Sequence, residues 1–113
     1  MIKVSIIIPV FNEINTIATL LEKIEKTTIK DNIKKEIIIV DDCSTDGTAA
    51  FLKKLESSSD NPYTIIYHSI NHGKGAAIKT ALQKVSGDYV ITQDADMEYN
   101  PEDYRGLIEC AVK

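Results

Sequence analysis

The sequence predicts an α/β fold in which a parallel sheet carries helices on both faces. Four short runs rich in Val and Ile alternate with segments whose apolar residues recur at helical spacing, a pattern typical of βαβ units. The runs are apolar almost throughout, which is typical of strands that are covered on both faces. Right-handed crossovers between parallel strands then place helices on each side of an open, Rossmann-like sheet.

Each strand is predicted from a β-branched or aromatic run that is followed by polar residues. The first two runs are nearly all Val and Ile, and the last two begin at a tyrosine. Lys30, Lys34 and Lys35, which precede the second strand, are interpreted as part of a solvated loop. The four predicted strands span residues 3–8, 36–40, 63–68 and 89–93.

The helices are predicted from apolar stripes and from residues suited to helix ends. From Ile17 to Ile24 the apolar side chains fall at positions i, i+3, i+4 and i+7, and Asn15 is placed to cap the amino end. Pro101 fits the first turn of the last helix. The four predicted helices span residues 16–26, 48–56, 74–85 and 101–112.

Length and composition limit the classes of function. The 113 residues make a single domain, 1–113, which no linker or repeat divides. The net charge of −4 argues against a nucleic-acid partner, because no basic excess exists to neutralise phosphates. No apolar run approaches the roughly 20 residues that span a bilayer. Cys43 and Cys110 are too few and too distant for a disulfide framework, so the cytoplasm is the expected compartment.

The order of the elements predicts where a ligand binds. With the first strand in the centre, the strand order is 3-2-1-4, and the order reverses between strands one and four. Open α/β sheets bind ligands beyond the carboxyl ends of their strands at such a point. The sheet edge beyond the fourth strand leaves a homo-oligomer open as an alternative to a monomer.

Acidic residues gather in the loops that follow these strands. Crowded carboxylates are unfavourable unless a positive charge compensates them, and a divalent cation would do so. Asp46 is interpreted separately, as a turn former or a helix cap. The other acidic residues on this predicted rim are Glu13, Asp41, Asp42, Asp94, Asp96 and Glu98.

Asp94-Ala95-Asp96 is the strongest indication of a metal site. Residues two apart in an extended chain point the same way, so Asp94 and Asp96 can present hard oxygen ligands together, with Glu98 in register. The ion expected is Mg²⁺ or Mn²⁺, which keeps positions open for substrate phosphates. A surface turn is the alternative, since the short motif is common in loops.

The segment from Asn71 to Ala77 indicates an anion-binding loop. Gly73 and Gly75 allow a ligand to approach the backbone at a helix start, and Lys74 can meet a phosphate as a point charge. The spacing fits neither a Walker loop nor GxGxxG, and a plain turn at a helix start remains the alternative. His72 receives no assignment.

The paired Asp41 and Asp42 have two possible tasks. One carboxylate can accept a hydrogen bond from a nucleotide base, and the other can cap a loop or a helix. Asn12 and Glu13 can meet a base or a ribose by the same chemistry.

Together these loops resemble glycosyltransferase family 2, whose fold is called GT-A, and the resemblance extends over essentially the whole chain. The tail after Asp96 is most similar to the branch that loads sugars onto polyprenyl or dolichol phosphates. The segments that carry the resemblance are Ile8-Pro9-Val10-Phe11-Asn12-Glu13, Val40-Asp41-Asp42-Cys43-Ser44-Thr45-Asp46-Gly47-Thr48, Asn71-His72-Gly73-Lys74-Gly75-Ala76-Ala77 and Gly87-Asp88-Tyr89-Val90-Ile91-Thr92-Gln93-Asp94-Ala95-Asp96.

The resemblance implies an enzyme that binds a UDP- or GDP-sugar and a divalent metal. It implies inverting transfer of a hexose to an acceptor, with a polyprenyl phosphate as one candidate. Asp42 would hold the base, and Asp94, Asp96 and Glu98 would hold the metal, with Asp96 and Asp94 as the catalytic residues. The positions implied to contact the nucleotide-sugar are Pro9, Val10, Asn12, Glu13, Asp42, Gly73, Lys74, Asp94, Ala95 and Asp96.

The chain departs from the family pattern at three places. Cys43 stands where glycine is usual, and Ile14 stands where many relatives carry an acidic residue. The sequence ends at Lys113, before the half that holds the acceptor in the family. We therefore expect donor and metal binding with weak or absent transfer, and peripheral membrane association only in a full-length form.

Three other interpretations compete with an enzyme of this family. The first is a nucleotide or nucleotide-sugar binding module without turnover, which would use the same residues. A receiver-type signalling domain would need an acidic pair after strand one and a fifth strand, and the sequence shows neither. A phosphatase with an Asp-x-Asp nucleophile would need that motif after strand one, where Asn12 and Glu13 stand.

Overall fold

The computed structural model describes residues 2–26, 33–58 and 61–93. Strands and helices alternate within these ranges, as the sequence predicts. The elements are β1 (Ile2–Val10), α1 (Ile17–Lys26), β2 (Ile33–Asp41), α2 (Thr48–Glu56), β3 (Tyr63–Tyr67), α3 (Lys74–Leu82) and β4 (Tyr89–Thr92). The last predicted helix, 101–112, lies outside the described residues.

The four strands form one parallel sheet in the order β3-β2-β1-β4, which confirms the predicted order. β1 is central and is buried from Val4 onward, which explains why its apolar run does not alternate with polar residues. β1 and β2 pair along their whole length, from Ile2 with Ile33 to Val10 with Asp41.

Two apolar clusters cover the two faces of the sheet. On one face, Ile6 and Ile8 of β1 pack with buried residues of α1 and with Leu52 of α2. On the other face, Ile7 packs with Ala77 of α3. This alternation along β1 confirms helices on both faces of the sheet. No helix in the described ranges is both long and apolar enough to span a membrane.

Two predictions that place residues in loops are wrong. Pro9 and Val10, placed in a loop by the sequence, belong to β1, because β2 runs equally far beside them. Lys34 and Lys35 lie in β2 and not in a solvated loop. The Lys35 ammonium donates to the Ile24 carbonyl at the end of α1, and burial lowers its pKa. Lys30 lies outside the described residues.

α3 ends at Leu82, three residues earlier than predicted. The amides of Gln83 and Lys84 donate three residues back, to Thr80 and Ala81, and so close a tighter turn. This turn brings Val85 back onto the smaller apolar cluster.

A polar network at the amino ends of the strands fixes the start of β4. The Glu36 carboxylate accepts hydrogen bonds from the Ser5 hydroxyl at 2.7 Å, the Ser86 amide at 2.9 Å and the Ser86 hydroxyl at 2.7 Å. Lys3 lies 3.4 Å from the same carboxylate. Although burial opposes ionisation, these contacts lower the pKa of Glu36 to about 2.

We expect Glu36 to stabilise the fold in a pH-dependent way. The pKa of Glu36 falls from 4.5 to about 2 on folding, so its contribution is complete above 4.5 and is lost as the pH drops through 2. The free energy of unfolding of the wild type should exceed that of Glu36→Gln by on the order of 2–3 kcal/mol at neutral pH. This difference should vanish near pH 2. Urea unfolding of both proteins across this range measures it, and a difference independent of pH would contradict it.

Candidate active site

The loops after β1 and β2 are joined to each other by hydrogen bonds. The side-chain oxygen of Asn12 accepts from the Thr45 amide at 2.7 Å, and the Asn12 amide donates to the Ser44 hydroxyl at 2.9 Å. Asn12 has a φ of 53°, a left-handed conformation that asparagine tolerates better than most residues. Asn12 therefore shapes this edge of the sheet as well as being a predicted nucleotide contact.

Asp46 and Thr48 accept hydrogen bonds from the two residues that follow Asn12 in the loop after β1. The Glu13 amide donates to the Thr48 hydroxyl at 3.1 Å, and the Ile14 amide donates to the Asp46 carboxylate at 3.2 Å. Asp46 also accepts from the Thr48 amide two positions later, at 3.0 Å, which confirms its predicted role as a turn former, while the residue at the cap position of α2 is Gly47. Burial opposes ionisation, but the bonds from Thr48 and Ile14 lower the pKa of Asp46.

Asp42 ties the loop after β3 to the end of β2. Its side chain is 4% exposed, and the carboxylate accepts from the His68 ring nitrogen Nδ1 at 2.8 Å, the His72 amide at 2.9 Å and the Gly73 amide at 2.7 Å. Burial opposes ionisation, but the bonds from His72, His68 and Gly73 lower the pKa of Asp42. A carboxylate has about four acceptor positions, so these three bonds leave capacity for one more donor.

Asp41 serves its own loop. Its side chain is 2% exposed and accepts a hydrogen bond from the Ser44 hydroxyl, while its main-chain oxygen accepts from the His68 amide at 2.8 Å. The two carboxylates of the acidic pair therefore have different hydrogen-bond partners. Asp41 caps the loop, and Asp42 has remaining capacity for a ligand.

The loop after β3 brings a glycine and a lysine to the same edge. Gly73 has a φ of 92° and a ψ of 164°, a conformation that essentially only glycine adopts. The chain then enters α3 at Lys74. A Cβ at Gly75 would meet no described atom within 4 Å, so the first turn of α3 leaves room for a ligand to approach the backbone.

The structure gathers Asn12, Glu13, Asp42, Gly73 and Lys74 at the carboxyl edge of the sheet. Two further residues predicted to contact the nucleotide are buried in β1. Pro9 is buried, and Val10 is 1% exposed within the larger apolar cluster, with its carbonyl accepting from the Asp42 amide at 2.8 Å. Their side chains are therefore part of the interior beneath the sheet edge, and the loops begin after them.

The predicted metal ligands Asp94, Asp96 and Glu98, together with Ala95, lie outside the described residues. Within the described ranges, no group of three or more His, Cys, Asp or Glu side chains could hold a metal ion. The Gln93 amide donates to the Ile7 carbonyl at 2.8 Å, so Gln93, the last described residue, lies beside the central strand.

Two residues near this edge were missed by the sequence interpretation. His68 contacts Asp42, and a histidine at a strand end gives no sign of a partner 26 positions away. Phe11 is 46% exposed and stands between Val10, which is buried, and Asn12, which is exposed. An aromatic residue at the start of a polar loop was a signal in the sequence that could have identified it.

Cys43 adopts a backbone conformation that favours glycine. Its φ is 64°, in the left-handed region that costs a side chain roughly 1–2 kcal/mol. Its thiol points to the Ser69 carbonyl at 3.4 Å, which links the loops after β2 and β3.

Comparison with known sequences agrees with this geometry. The pattern of the family described as Glycosyl transferase family 2 matches residues 5–113. The undecaprenyl-phosphate 4-deoxy-4-formamido-L-arabinose transferase of Pseudomonas fluorescens is 37% identical over 110 residues, which are 97% of this chain and 32% of that protein. The protein of the same name from Proteus mirabilis is 37% identical over 109 residues, 96% of this chain and 33% of that protein. The chain therefore spans about a third of the length of these relatives.

Solved structures share the architecture. A mannosyltransferase from Pyrobaculum calidifontis, in complex with GDP-Man and Mn²⁺, superposes with a TM-score of 0.75 at 32% identity, covering 88% of this chain and 29% of that one. TarS from S. aureus, in complex with UDP-GlcNAc, superposes with a TM-score of 0.76 at 28% identity, covering 95% of this chain and 30% of that one. With the strand order, the gathered loops and the match over 5–113 in agreement, this chain belongs to glycosyl transferase family 2 and has the GT-A fold.

Proposed function

We propose that this chain is the donor-binding part of a glycosyltransferase that transfers a hexose from a nucleoside-diphosphate sugar with inversion. The observation that carries the proposal is the convergence of Asn12, Asp42, Gly73 and Lys74 on the edge at which β4 ends and Gln93, the last described residue, follows it. Such an edge, beyond the carboxyl ends of parallel strands, is where open α/β sheets bind ligands. Two solved relatives with nucleotide-sugars, GDP-Man and UDP-GlcNAc, support the choice of ligand.

Four groups can recognise the nucleotide. Asp42 has capacity for one donor more, which a base N–H of uracil or guanine would supply. The exposed ring of Phe11 offers an apolar face on which a base can stack. Lys74, at the start of α3, brings positive charge to the diphosphate, and Gly73 allows the close approach of the backbone.

Asp94, Asp96 and Glu98 would hold Mg²⁺ or Mn²⁺. Their carboxylates are the hard oxygen donors that these ions prefer, and the relative solved with GDP-Man contains Mn²⁺. When bound, the ion would neutralise negative charge on the departing nucleoside diphosphate. The chain's own loops bind and orient the donor in this scheme.

The acceptor that we propose is a polyprenyl phosphate. The relatives from Pseudomonas and Proteus carry names that specify undecaprenyl phosphate, and the chain is similar to about a third of each. A phosphate oxygen is already ionised near neutral pH, so it needs little help from a base before it attacks the sugar. This acceptor would place the complete protein at the cytoplasmic face of a membrane.

Calorimetry with UDP and GDP, in Mn²⁺ and in chelator, tests donor and metal binding. We expect one nucleotide to bind in Mn²⁺ and to lose at least about 100-fold in affinity in chelator or in Asp96→Ala. Asp88→Asn, a carboxylate change at the opposite end of β4, is the control and should bind as wild type does. Equal affinity in chelator would remove the metal from the proposal, and no binding of either nucleotide would remove the donor site.

A binding module without turnover is the second candidate, because Asn12, Asp42, Gly73 and Lys74 would serve it equally well. An assay for sugar transfer and slow donor hydrolysis separates the enzyme from the binding module.

Self-association is a further proposal. Tyr89 and Val90 of β4, at the edge of the described sheet, are 37% and 42% exposed, and an exposed sheet edge can pair with another chain.

A further inference from the structure

His68 links three elements at the candidate site. It follows β3, its Nδ1 lies 2.8 Å from Asp42 Oδ1 at the end of β2, and its Nε2 lies 2.9 Å from the Thr80 hydroxyl of α3. Its side chain is 12% exposed, and the ring of His72 stands edge-on to it with the centroids 5.4 Å apart. No role proposed above uses this histidine.

The direction of the hydrogen bond to Asp42 follows from chemistry. Hydrogen bonds hold the pKa of Asp42 below its usual value, so the carboxylate is ionised and only accepts. The hydrogen of the contact must then be on Nδ1 of His68. On the other side of a neutral ring, the Thr80 hydroxyl donates to Nε2; when the hydroxyl instead donates to the Ala76 carbonyl, at 3.0 Å, it accepts from Nε2 of a ring whose two nitrogens both carry hydrogen. Both arrangements keep Nδ1–H directed at Asp42.

The contact with His68 fixes the Asp42 carboxylate relative to β3 and α3, which the bonds from His72 and Gly73 do not do. The amides of His72 and Gly73 bind one carboxylate oxygen each, which orients the carboxylate relative to their own loop. Those bonds alone would let loop and carboxylate move together. His68 reaches the same carboxylate from the end of β3 and is braced by Thr80, one turn after Ala76 in α3.

We propose that His68 is a positioning residue for donor recognition. It holds the Asp42 carboxylate so that one acceptor position of Oδ2 remains directed at the nucleotide base while the loop at Gly73 stays in place. The inference rests on the proposed donor site and adds to it a residue that determines how Asp42 meets the base.

Two substitutions separate the positioning role from simple loss of packing. The side-chain amide nitrogen of asparagine falls near the position of Nδ1, and that of glutamine falls near Nε2. His68→Asn therefore keeps the donor to Asp42, and His68→Gln keeps only the contact to Thr80. We expect His68→Gln to weaken binding of the preferred nucleotide by about tenfold, and His68→Asn to stay within about threefold of wild type.

Amide hydrogen exchange at Gly73 gives a second measurement that needs no nucleotide. Exchange should be about tenfold faster in His68→Gln and nearly unchanged in His68→Asn, because the bond from Gly73 to Asp42 depends on the held carboxylate. Thermal unfolding of each variant verifies that it is folded. Thr80→Val removes the contacts of the hydroxyl with His68 and with the Ala76 carbonyl but leaves the bond from His68 to Asp42, so it should change both readouts less than His68→Gln does.

The outcomes distinguish the two proposals. If wild type binds neither nucleotide, the donor site fails, and exchange at Gly73 still decides whether His68 holds the Asp42 carboxylate. If glutamine preserves affinity and exchange as well as asparagine does, or if Thr80→Val reproduces the loss, then the bond to Asp42 is not what matters and the inference is overturned.

Discussion

Replacing Gly87 by alanine should destabilise the fold by about 3 kcal/mol. A Cβ at this position would lie 2.5 Å from the Ser5 hydroxyl oxygen, 2.7 Å from the Ser5 amide nitrogen and 3.0 Å from the Lys3 carbonyl oxygen. Two of these atoms belong to the backbone of central β1, so no side-chain rotation relieves the contact. The Gly87 amide also donates to the Ser5 hydroxyl at 2.9 Å, and separating the strands would break this bond.

Gly75→Ala is the matched control, because it adds the same methyl group where no described atom lies within 4 Å. Gly75 lies in α3, where alanine should raise stability by roughly 0.5–1 kcal/mol. Urea unfolding of both variants measures the difference, with circular dichroism to detect an unfolded Gly87→Ala protein. Similar stabilities for the two variants would show that β4 can move away from β1 at little cost.

Asp42→Asn should lower stability by about 3 kcal/mol at neutral pH. The buried carboxylate accepts bonds from the His72 amide, the Gly73 amide and the His68 ring. In asparagine one oxygen becomes an NH₂ group, which would face a donor on at least one side. The penalty should shrink in acid, because hydrogen bonding lowers the pKa of Asp42 and its contribution is lost as the pH falls below the ordinary aspartate value of 3.8.

Asp88→Asn provides the comparison for that substitution. Asp88 is exposed, and its side chain accepts from the Lys3 amide at 2.9 Å. An exposed side chain can exchange this bond for water, so the loss should stay below about 1 kcal/mol. Chemical unfolding at pH 7 and at pH 3 covers both variants. A loss for Asp42→Asn no larger than that for Asp88→Asn would mean that water satisfies the loop amides.

The fold and the edge where the polar loops gather could be predicted because they follow from local pattern. A continuous β-branched run such as 3–8 forms a strand with two covered faces, and the stripe from Ile17 to Ile24 forms a helix against it. Right-handed crossovers then left few topologies, and the order β3-β2-β1-β4 is confirmed. Residues that follow strand ends, such as Asn12, Asp42 and Gly73, meet at one edge for the same reason.

The partners of individual polar side chains depend on contacts between distant parts of the chain. Lys35 follows a polar segment in sequence, yet its ammonium reaches the end of α1. Glu36 meets Ser86 across 50 positions, and Asp42 meets His68 across 26. No periodicity encodes such pairs, because they arise only when strands and loops pack.

By itself the sequence determined the order of strands and helices, the edge where the polar loops gather and the family, because apolar spacing and short polar motifs are properties of neighbouring residues. The tertiary structure decided that Pro9 and Val10 continue β1, and that Asp41 caps its own loop while Asp42 is held by His68. These outcomes depend on how far paired strands run and on which buried donors need an acceptor, and both are settled only when the sheet and its loops are assembled.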